Sequence, residues 1–459
     1  MAAKDVLIGC AAGFARDRKD SAPALIDSLS RHDGPRFLIY EMLAERTLAN
    51  AQNERRAEPS RGYIASFEPM LRPYLKACAE ARVRVIGNFG AANPRAAAGM
   101  VAQWAAEDGL DGLRIACVEG DDLLDRVDAA TLERAETGGA ILGGGAEILS
   151  VNVYLGARPI AEALDRGADV VITGRIADPA LALGPLIHAF GWAEDDWDLL
   201  ASGVLAGHLL ECGPQVTGGY FSDPGVKDVP GIEALGYPLA RVTADGGIVI
   251  TKPEGTGGLV DLRSVKEQIL YEIHDPAAYL TPDVVLDMTA VELAQTGPDA
   301  VRVSHARGKP RPDLLKATVC IDGGFLVESG ISYAGINAEA RARQAIAILR
   351  FRVARLLPDV TLRADIVGLV SVFGDTPGRA LAERHGSDQA PDLRVMVSAE
   401  VATQEEGRLL LEEVEALYVA GPAGGGGVRG ALTPRLRNTA CLLPRNLVEP
   451  QVSLFGGAA

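Results

Sequence analysis

Short apolar segments alternate with longer amphipathic segments along the first half of the chain. Each apolar segment is typical of a buried strand, and each amphipathic segment is typical of a helix. Six strand–loop–helix units follow one another, with strands that read KDVLIGC, RFLIY, RVRVIG, LRIACV, AEILSVNVY and DVVITG. Strands that alternate with helices pair in parallel, so the pattern predicts an α/β fold. We expect a doubly wound, mostly parallel sheet, and a closed β/α barrel is the alternative.

Polar side chains stand at the ends of these strands, where α/β proteins bind their ligands. Asn93 and Asp178 each precede a proline, so capping of a helix is an alternative role for both. Several polar groups at one edge of a sheet suit a carboxylate or a phosphate. The predicted substrate-binding residues are Asn88, Asn93, Arg95, Asn152, Tyr154 and Arg175. Other candidates at strand ends are Arg16, Asp17, Glu41, Glu119 and Asp121.

The segment DDWDLLASGVLAGHLLECGP predicts a helix that stops at its Gly-Pro pair. His208, Glu211 and Cys212 are spaced i, i+3 and i+4 and share one face of it. The negative end of the helix dipole disfavours a Cys212 thiolate but raises the basicity of His208. We predict His208 as a catalytic acid with Glu211 or Asp178 as its partner, and a buried structural histidine is the alternative. A divalent metal ion is possible if His208, Glu211 and Asp178 converge.

A glycine pair follows this helix in the segment QVTGGYFSDPG. Gly218 and Gly219 keep backbone amides open, so we predict that they contact the substrate. A loop without a binding role is the alternative.

Composition and charge exclude several classes of protein. The 459 residues are enough for two or three domains, and the net charge of −16 argues against a nucleic-acid partner. The chain has no apolar run long enough for a membrane helix and no signal-peptide pattern at its start, so we expect a cytoplasmic protein without a membrane partner. The first strand continues as GCAAGF, which is not the G-x-G-x-x-G dinucleotide motif, and no P-loop lysine motif occurs.

Two long passages resemble the acyclic terpene utilisation A (AtuA) family: GARPIAEALDRGADVVITGRIADPALALGPLIHAFGW and LAGHLLECGPQVTGGYFSDPGVKDVP. The segments VKEQILYEIHDPAAYLTPDVVLD, YAGINA, GFARDR and MLAERTLA extend the resemblance over nearly the whole chain. It implies catabolism of acyclic isoprenoids through branched acyl-CoA thioesters. It also implies an α/β core followed by a smaller ferredoxin-like α+β domain. The polar passage at 370–392 predicts the boundary between a core at 1–369 and a second domain at 370–459.

A run of four glycines lies late in the chain, in the segment AGPAGGGGVRG. Consecutive glycines expose backbone amides that can cradle a phosphate. In the context of the resemblance, we predict that Gly424, Gly425, Gly426, Gly427 and Arg429 bind the pyrophosphate of CoA. A flexible loop at a subunit contact is the alternative.

These residues and the resemblance together predict a hydratase or a carbon–carbon lyase that acts on a branched or dicarboxylic acyl-CoA. A non-catalytic acyl-CoA-binding or assembly subunit of a terpene-degradation system is the alternative. The expected partner is a small molecule, with CoA as part of the substrate rather than as a resident cofactor. Large glycine-rich α/β enzymes commonly form pairs, so we also expect a homo-oligomer.

Overall fold

The computed structural model describes residues 5–141, 147–384 and 392–455. The chain has a mixed α/β architecture and divides into two compact units. The first unit comprises Met1–Cys320 and Asn438–Ala459, and the second comprises Ile321–Arg437.

The first unit opens with the predicted alternation of strands and helices, except that the described residues after the fourth strand form two short 3-10 helices, Leu124–Arg126 and Ala129–Thr131, instead of an α-helix. Its elements in order are β1 (Asp5–Ala12), α1 (Ala22–Ser30), β2 (Arg36–Tyr40), α2 (Glu45–Ala57), α3 (Phe67–Leu71), α4 (Leu75–Glu80), β3 (Arg84–Gly87), α5 (Pro94–Glu107), β4 (Ile115–Glu119), β5 (Ile148–Val153), α6 (Arg158–Asp165), β6 (Val170–Thr173), α7 (Ala180–Phe190) and α8 (Trp197–Glu211).

Mostly strands follow. They are β7 (Leu239–Thr243), β8 (Ile248–Thr251), α9 (Leu262–Leu270), β9 (Tyr279–Leu280), β10 (Val285–Asp287), β11 (Glu292–Gly297), β12 (Ala300–Ser304), β13 (Arg307–Lys309) and β14 (Leu314–Ala334). The chain continues through α10 (Ala338–Leu356), β15 (Arg363–Val367), α11 (Arg379–Glu383), β16 (Asp392–Val401), α12 (Gln404–Glu415), α13 (Leu417–Ala420), β17 (Gly426–Pro444) and β18 (Gln451–Phe455).

Ten strands form one mixed sheet in the order β11-β12-β8-β7-β1-β2-β3-β6-β4-β18. The five central strands, β1, β2, β3, β6 and β4, are parallel, as the sequence predicts. Antiparallel strands extend both edges, because β7 pairs with β1 and β18 pairs with β4. The alternating pattern of the sequence does not predict these antiparallel edge strands. Among the described residues the sheet is open at β11 and β18, so the alternative of a closed barrel is not observed.

The fifth predicted strand, β5, is not part of this order and pairs with β14 instead. Every residue of β5 is buried, so the strand needs covering neighbours along its whole length. The backbone N–H of Tyr154, just after β5, donates to the carbonyl of Lys316 at 2.9 Å. This pairing brings a residue from far along the chain beside Tyr154.

The central strands are apolar because helices cover them. Helices α1 and α5 share a hydrophobic core with Leu7, Leu38, Val85 and Ile115 from successive strands. Helix α7 packs on β1 and β2, and α8 packs on β1 and β7. The polar side chains of these central strands consequently lie at the strand ends.

The second unit has the element order β14-α10-β15-α11-β16-α12-α13-β17 and the sheet order β15-β16-β14-β17. Its core includes Val327, Leu349 and Val395. The predicted boundary at 369/370 falls inside this unit, because β15 precedes it and pairs with β16, with Ala364 opposite Val397. Within the predicted polar passage, residues 385–391 lie outside the described residues.

In the described parts of the chain, no helix has both the length and the apolar character needed to cross a lipid bilayer.

Candidate active site

Glu41 follows β2 and is held in place by the residue that follows β3. The side-chain amide of Asn88 donates to Oε1 of Glu41 at 3.0 Å, and its carbonyl oxygen accepts from the backbone N–H of Met42 at 2.7 Å. The backbone N–H of Leu43 also donates to Oε1 of Glu41, at 2.9 Å. Asn88 is completely buried, so this arrangement is fixed within the core. All of these bonds to Glu41 reach the same oxygen, Oε1.

Arg175 follows β6 and connects the ends of three strands. Its backbone N–H donates to Asp121, beyond β4, at 3.0 Å, and one guanidinium nitrogen donates to the carbonyl of Leu43, beyond β2. A second guanidinium nitrogen lies 3.2 Å from Oδ1 of Asp178. Only 2% of Arg175 is exposed, and its Nε is a buried donor without a hydrogen-bond acceptor in the described residues. Arg175 is therefore a buried, permanently charged cation at the centre of the cluster.

Tyr154 lies beneath this guanidinium, with the guanidinium carbon of Arg175 3.9 Å from the ring centroid. The Tyr154 hydroxyl donates to Glu45, and Lys316 Nζ lies 3.2 Å from the same carboxylate. Burial alone would raise the pKa of Glu45, but the hydrogen bond from Tyr154 and the charges of Arg175 and Lys316 lower it to about 2. Glu45 is consequently ionised and paired with Lys316 at neutral pH.

Asp121 and Asn152 form a chain of hydrogen bonds behind Arg175. The Asn152 amide donates to Asp121 at 2.9 Å and accepts from Gln52 at 3.0 Å. Burial raises the pKa of Asp121 to about 6, although the bonds from Asn152 and Arg175 work against it. Asn152 thus orients the carboxylate that holds the Arg175 backbone.

Glu41 and Asp178 are two carboxyl groups whose protonation is linked. Burial raises the pKa of Glu41 to about 8, and the negative charge of Asp178 adds to this. Burial likewise raises the pKa of Asp178 to about 7; Arg175 opposes the increase and Glu211 adds to it. The side chain of Asp178 is 32% exposed, so it is open to solvent at one edge. Both groups can therefore gain or lose a proton near neutral pH, and the charge of Asp178 influences the protonation of Glu41.

His208 lies on α8 with both ring nitrogens engaged. Nδ1 is 2.9 Å from Oε1 of Glu211, and Nε2 is 3.2 Å from the carbonyl oxygen of Ile269. The ring is 1% exposed. Burial alone would lower the pKa of His208, but the adjacent Glu211 carboxylate outweighs it, and the pKa is raised. The other oxygen of Glu211, Oε2, is buried without a hydrogen-bond donor in the described residues.

The structure brings several of the predicted site residues together. Glu211 acts electrostatically on Asp178, and Asp178 acts on Glu41, which places the end of α8 beside the ends of β2 and β6. The predicted residues in or behind this carboxylate cluster are Asn88, Asn152, Tyr154, Arg175, Asp178, His208 and Glu211.

Four predicted residues make their contacts elsewhere. Asn93 caps α5 by accepting from the backbone N–H of Ala96 at 3.2 Å, and Arg95 pairs with Glu119 at the surface. Gly218 and Gly219 lie in a tight turn, where Gly218 has a φ of +115° and its N–H donates to Gln215. Their predicted contacts with substrate stay predictions.

The glycine run lies in the second unit and leads directly into β17 rather than into a helix. Gly424 and Gly427 have φ values of +75° and +65°, which L residues rarely adopt. A Cβ atom on Gly425 would lie 2.9 Å from Ile331, and the carbonyl of Arg429 accepts from Ser329 at 3.1 Å. The positive φ values and these close contacts explain the presence of the four glycines by the packing of the second unit. Binding of CoA by Gly424, Gly425, Gly426, Gly427 and Arg429 stays a prediction.

Two members of the cluster were not predicted. Glu45 is the first residue of α2, and Lys316 lies on β14, 271 residues later in the chain. No local pattern links them. In the described residues, no group of three or more His, Cys, Asp and Glu side chains is arranged to hold a metal ion, and this includes the predicted set of His208, Glu211 and Asp178.

A cleft of about 690 Å³ lies at the amino ends of the parallel strands, where β2 and β3 begin. It is lined by Arg36, Arg82, Arg84 and His188 among others. Glu41, Asp121 and Asp178, whose pKa values are raised towards neutrality, lie at the other end of the strands. Perturbed carboxyls at the carboxyl ends of parallel strands are the stronger indication of a catalytic site.

Comparison with known proteins identifies one family. The family model described as acyclic terpene utilisation family protein AtuA matches residues 6–454, nearly the whole chain, and confirms the resemblance seen in the sequence. No curated protein and no solved structure matches the chain.

Proposed function

The chain belongs to the acyclic terpene utilisation AtuA family, and from this we propose that it is an enzyme that adds water to a branched acyl-CoA or cleaves one of its carbon–carbon bonds. The family supports a role in the use of acyclic terpenes. The carboxylate cluster around Arg175 supports the chemistry.

The observation that carries the proposal is the Glu41–Asp178 pair. Their pKa values of about 8 and about 7 lie at or just above neutral pH, so Glu41 is mostly protonated there while Asp178 is partly ionised. General acid–base catalysis works best when the pKa values of the groups lie near the working pH. Two carboxyl groups that share a proton thus supply an acid and a base in one site.

In a hydration, the ionised carboxylate takes a proton from water while the water oxygen bonds to the β-carbon of the unsaturated thioester. The electron pair of the double bond moves onto the α-carbon and the thioester oxygen. The protonated carboxyl then gives its proton to the α-carbon. One proton enters the pair and one leaves it, so transfer between Glu41 and Asp178 restores the starting state.

A carbon–carbon cleavage needs the same two groups. The carboxylate takes the proton of a β-hydroxyl group, a carbonyl forms at the β-carbon, and the bond to the α-carbon breaks. The electron pair leaves with the α-carbon as an enolate, which the protonated carboxyl neutralises. Both reactions build negative charge on the thioester oxygen. The Nε of Arg175, which has no acceptor among the described residues, is a donor that can stabilise this charge.

His208 has a supporting role in this proposal rather than that of the catalytic acid. Its two ring nitrogens are engaged by Glu211 and Ile269, which leaves neither nitrogen for the substrate. It is a positioning residue that orients Glu211, and the negative charge of Glu211 raises the pKa of Asp178.

We propose a finer description of the two units on the same basis. Helices packed against the parallel strands of the first unit support a doubly wound core. Apart from the short helices α11 and α13, the second unit has a β-α-β-β-α-β order. With β15-β16-β14-β17 as its sheet order, this supports a ferredoxin-like fold.

The test incubates the purified protein with unsaturated and β-hydroxylated branched acyl-CoA thioesters and follows the products by mass. We expect a gain or loss of water, or release of a two-carbon unit, and we expect the product to fall strongly in Glu41→Gln. Binding of the thioesters without any product would contradict the enzyme and favour the acyl-CoA-binding subunit.

A further inference from the structure

The cleft at the amino ends of β2 and β3 is separate from the carboxylate cluster, and we call it the amino-end cleft. Arg36 begins β2, Arg84 begins β3, and Arg82 lies in the turn before β3; all three arginines line the cleft. Arg84 precedes Asn88 of the cluster by four residues, which corresponds to about 13 Å of extended chain. The volume of about 690 Å³ is in the range of small-molecule binding sites.

The three guanidiniums of the amino-end cleft form no ion pair with a carboxylate among the described residues. Arg36 donates to two backbone carbonyls at and just beyond the end of α1, at 3.0 Å and 2.8 Å. Arg84 donates to Nε2 of His188 at 2.7 Å, and the exposed side chain of Arg82 has no hydrogen-bond acceptor in the described parts of the chain. The whole chain carries a net charge of −16, so acidic partners are abundant elsewhere on it.

His188 supports Arg84 without neutralising its charge. A guanidinium can only donate, so Nε2 of His188 is the acceptor and Nδ1 carries the proton that is donated to Asp165. The imidazole is therefore neutral in this arrangement. Arg84 keeps its full positive charge at the cleft, with Nε and Nη2 still free to donate.

Two carboxylates also line the amino-end cleft, Asp111 and Asp169. Asp169 accepts from the backbone N–H of Arg114 at 3.0 Å, so this carboxylate is used to hold the chain before β4. The rest of the lining is largely apolar and includes Val83, Leu110 and Leu113. The cleft thus combines cations that have unused N–H donors with an apolar wall.

The backbone at Arg82 gives a second reason to look for a ligand. Its φ is +52°, a left-handed conformation in which glycine is the usual residue and a side chain is disfavoured. The exposed Arg82 side chain makes no hydrogen bond in the described residues that would compensate for this conformation. Residues held in such conformations are concentrated at functional sites.

We propose that the amino-end cleft binds the phosphate monoester of a small organic molecule. The guanidiniums of Arg36, Arg82 and Arg84 contact the phosphate, and the apolar lining contacts the organic part. A phosphate monoester presents three terminal oxygens and two negative charges to these donors, whereas a carboxylate presents two oxygens and one charge. This site is additional to the proposed function, because it lies at the opposite ends of the strands from the carboxylate cluster.

The test measures binding to the full-length protein by calorimetry at about pH 8 and low ionic strength, with methyl phosphate, phenyl phosphate, AMP and benzoate as probes. All three esters are dianions at this pH, so they differ only in the organic part. We expect phenyl phosphate or AMP to bind at least about tenfold more tightly than methyl phosphate, because the larger group buries apolar surface. The tighter of these two esters shows whether the ligand is a nucleotide or another phosphate ester.

Variants show whether the arginines are responsible. Arg84→Gln and Arg82→Gln should each weaken the binding of the tighter ester by at least about fivefold. Arg82 makes no hydrogen bond in the described residues, so its variant should fold even if the loss of Arg84 disturbs the start of β3. Arg302→Gln removes an exposed arginine from β12, four strands away from β2, and should keep the wild-type affinity.

Three results would overturn the proposal. They are the absence of binding by all three esters, binding of benzoate as tight as that of phenyl phosphate, and equal affinities of wild type, Arg82→Gln and Arg84→Gln for the tighter ester. Equal binding of methyl phosphate and both larger esters would likewise overturn the role of the apolar lining. Each of these results leaves the proposed function intact, because turnover of acyl-CoA depends on the carboxylate cluster.

Discussion

Asp178 lies 3.2 Å from the guanidinium of Arg175, yet the pKa of its carboxyl is about 7. A guanidinium at this distance ordinarily holds the pKa of a carboxyl below its usual range. Burial has the larger influence here, and the negative charge of Glu211 adds to it. The ion pair therefore belongs to a site in which carboxyl groups outnumber cations, and Asp178 can exchange a proton near neutral pH.

Replacement of Asp178 by Asn should remove most of the turnover. The amide has the same shape but can neither accept nor release the catalytic proton, and acid–base groups commonly contribute about 10²–10⁴-fold to the rate. We expect kcat to fall by at least about 100-fold, with an unchanged circular dichroism spectrum. The exposed variant Glu80→Gln serves as the control, and turnover of Asp178→Asn at the wild-type rate would remove Asp178 from the mechanism.

The rate should depend on pH as a bell-shaped curve. With pKa values of about 7 and about 8, the pair holds two protons in more acidic solution and none in more alkaline solution. Only the singly protonated pair contains both an acid and a base, so we expect the maximum of kcat between about pH 7 and about pH 8. Enzyme returned from each pH to neutral buffer should recover its activity, and a rate that stays constant from acidic to alkaline solution would contradict the shared proton.

The thermal stability of Glu41→Gln relative to the wild type should increase with pH. Folding raises the pKa of Glu41 from 4.5 to about 8. The contribution of the protonated Glu41 carboxyl to the stability of the wild type is therefore fully present below the unfolded pKa of 4.5, and it is lost as the pH rises through the folded pKa of about 8. Gln does not titrate and escapes this loss. We expect the difference in Tm, variant minus wild type, to grow by at least about 2 °C between acidic and alkaline buffer. A difference that is constant or decreases with pH would show that Glu41 is ionised at little cost.

Replacement of His208 by Ala should destabilise the protein without removing either limb of the pH profile. The change leaves the buried Glu211 carboxylate without its partner, and breaking a buried ion pair costs about 3–5 kcal/mol. We expect a lower Tm and a smaller kcat, with both limbs of the curve still present. The loss of one limb would instead identify His208 as the catalytic acid.

Much of the parallel core could be read from the sequence, because buried parallel strands leave long apolar runs and their ends are polar. Asn88, Arg175 and Asp178 were predicted in this way, and they lie in the cluster. Glu45 and Lys316 were not, since their ion pair joins residues 271 positions apart and depends on the pairing of β5 with β14. Similarly, the spacing of His208 and Glu211 indicated a contact but not that Ile269 would occupy the other ring nitrogen.

The antiparallel strands at the edges of the sheet were likewise not predictable from local sequence patterns. Strand β18 joins β4 from the end of the chain, with Val452 opposite Val118. Short strands of this kind resemble loops in sequence, and only the sheet edge that they cover defines them. Tertiary pairing rather than local sequence pattern therefore defines these edge strands.

The central claim, that Glu41 and Asp178 share a proton near neutral pH, is tested most directly by ¹³C NMR of the carboxyl carbons in protein labelled at Glu and Asp, titrated from acidic to alkaline pH. Glu41→Gln and Asp178→Asn assign the two resonances. We expect them to titrate at about pH 8 and about pH 7, with the Glu41 resonance moving to lower pH once the charge of Asp178 is removed. Two resonances that titrate independently at the ordinary acidic values of Glu and Asp would contradict the account.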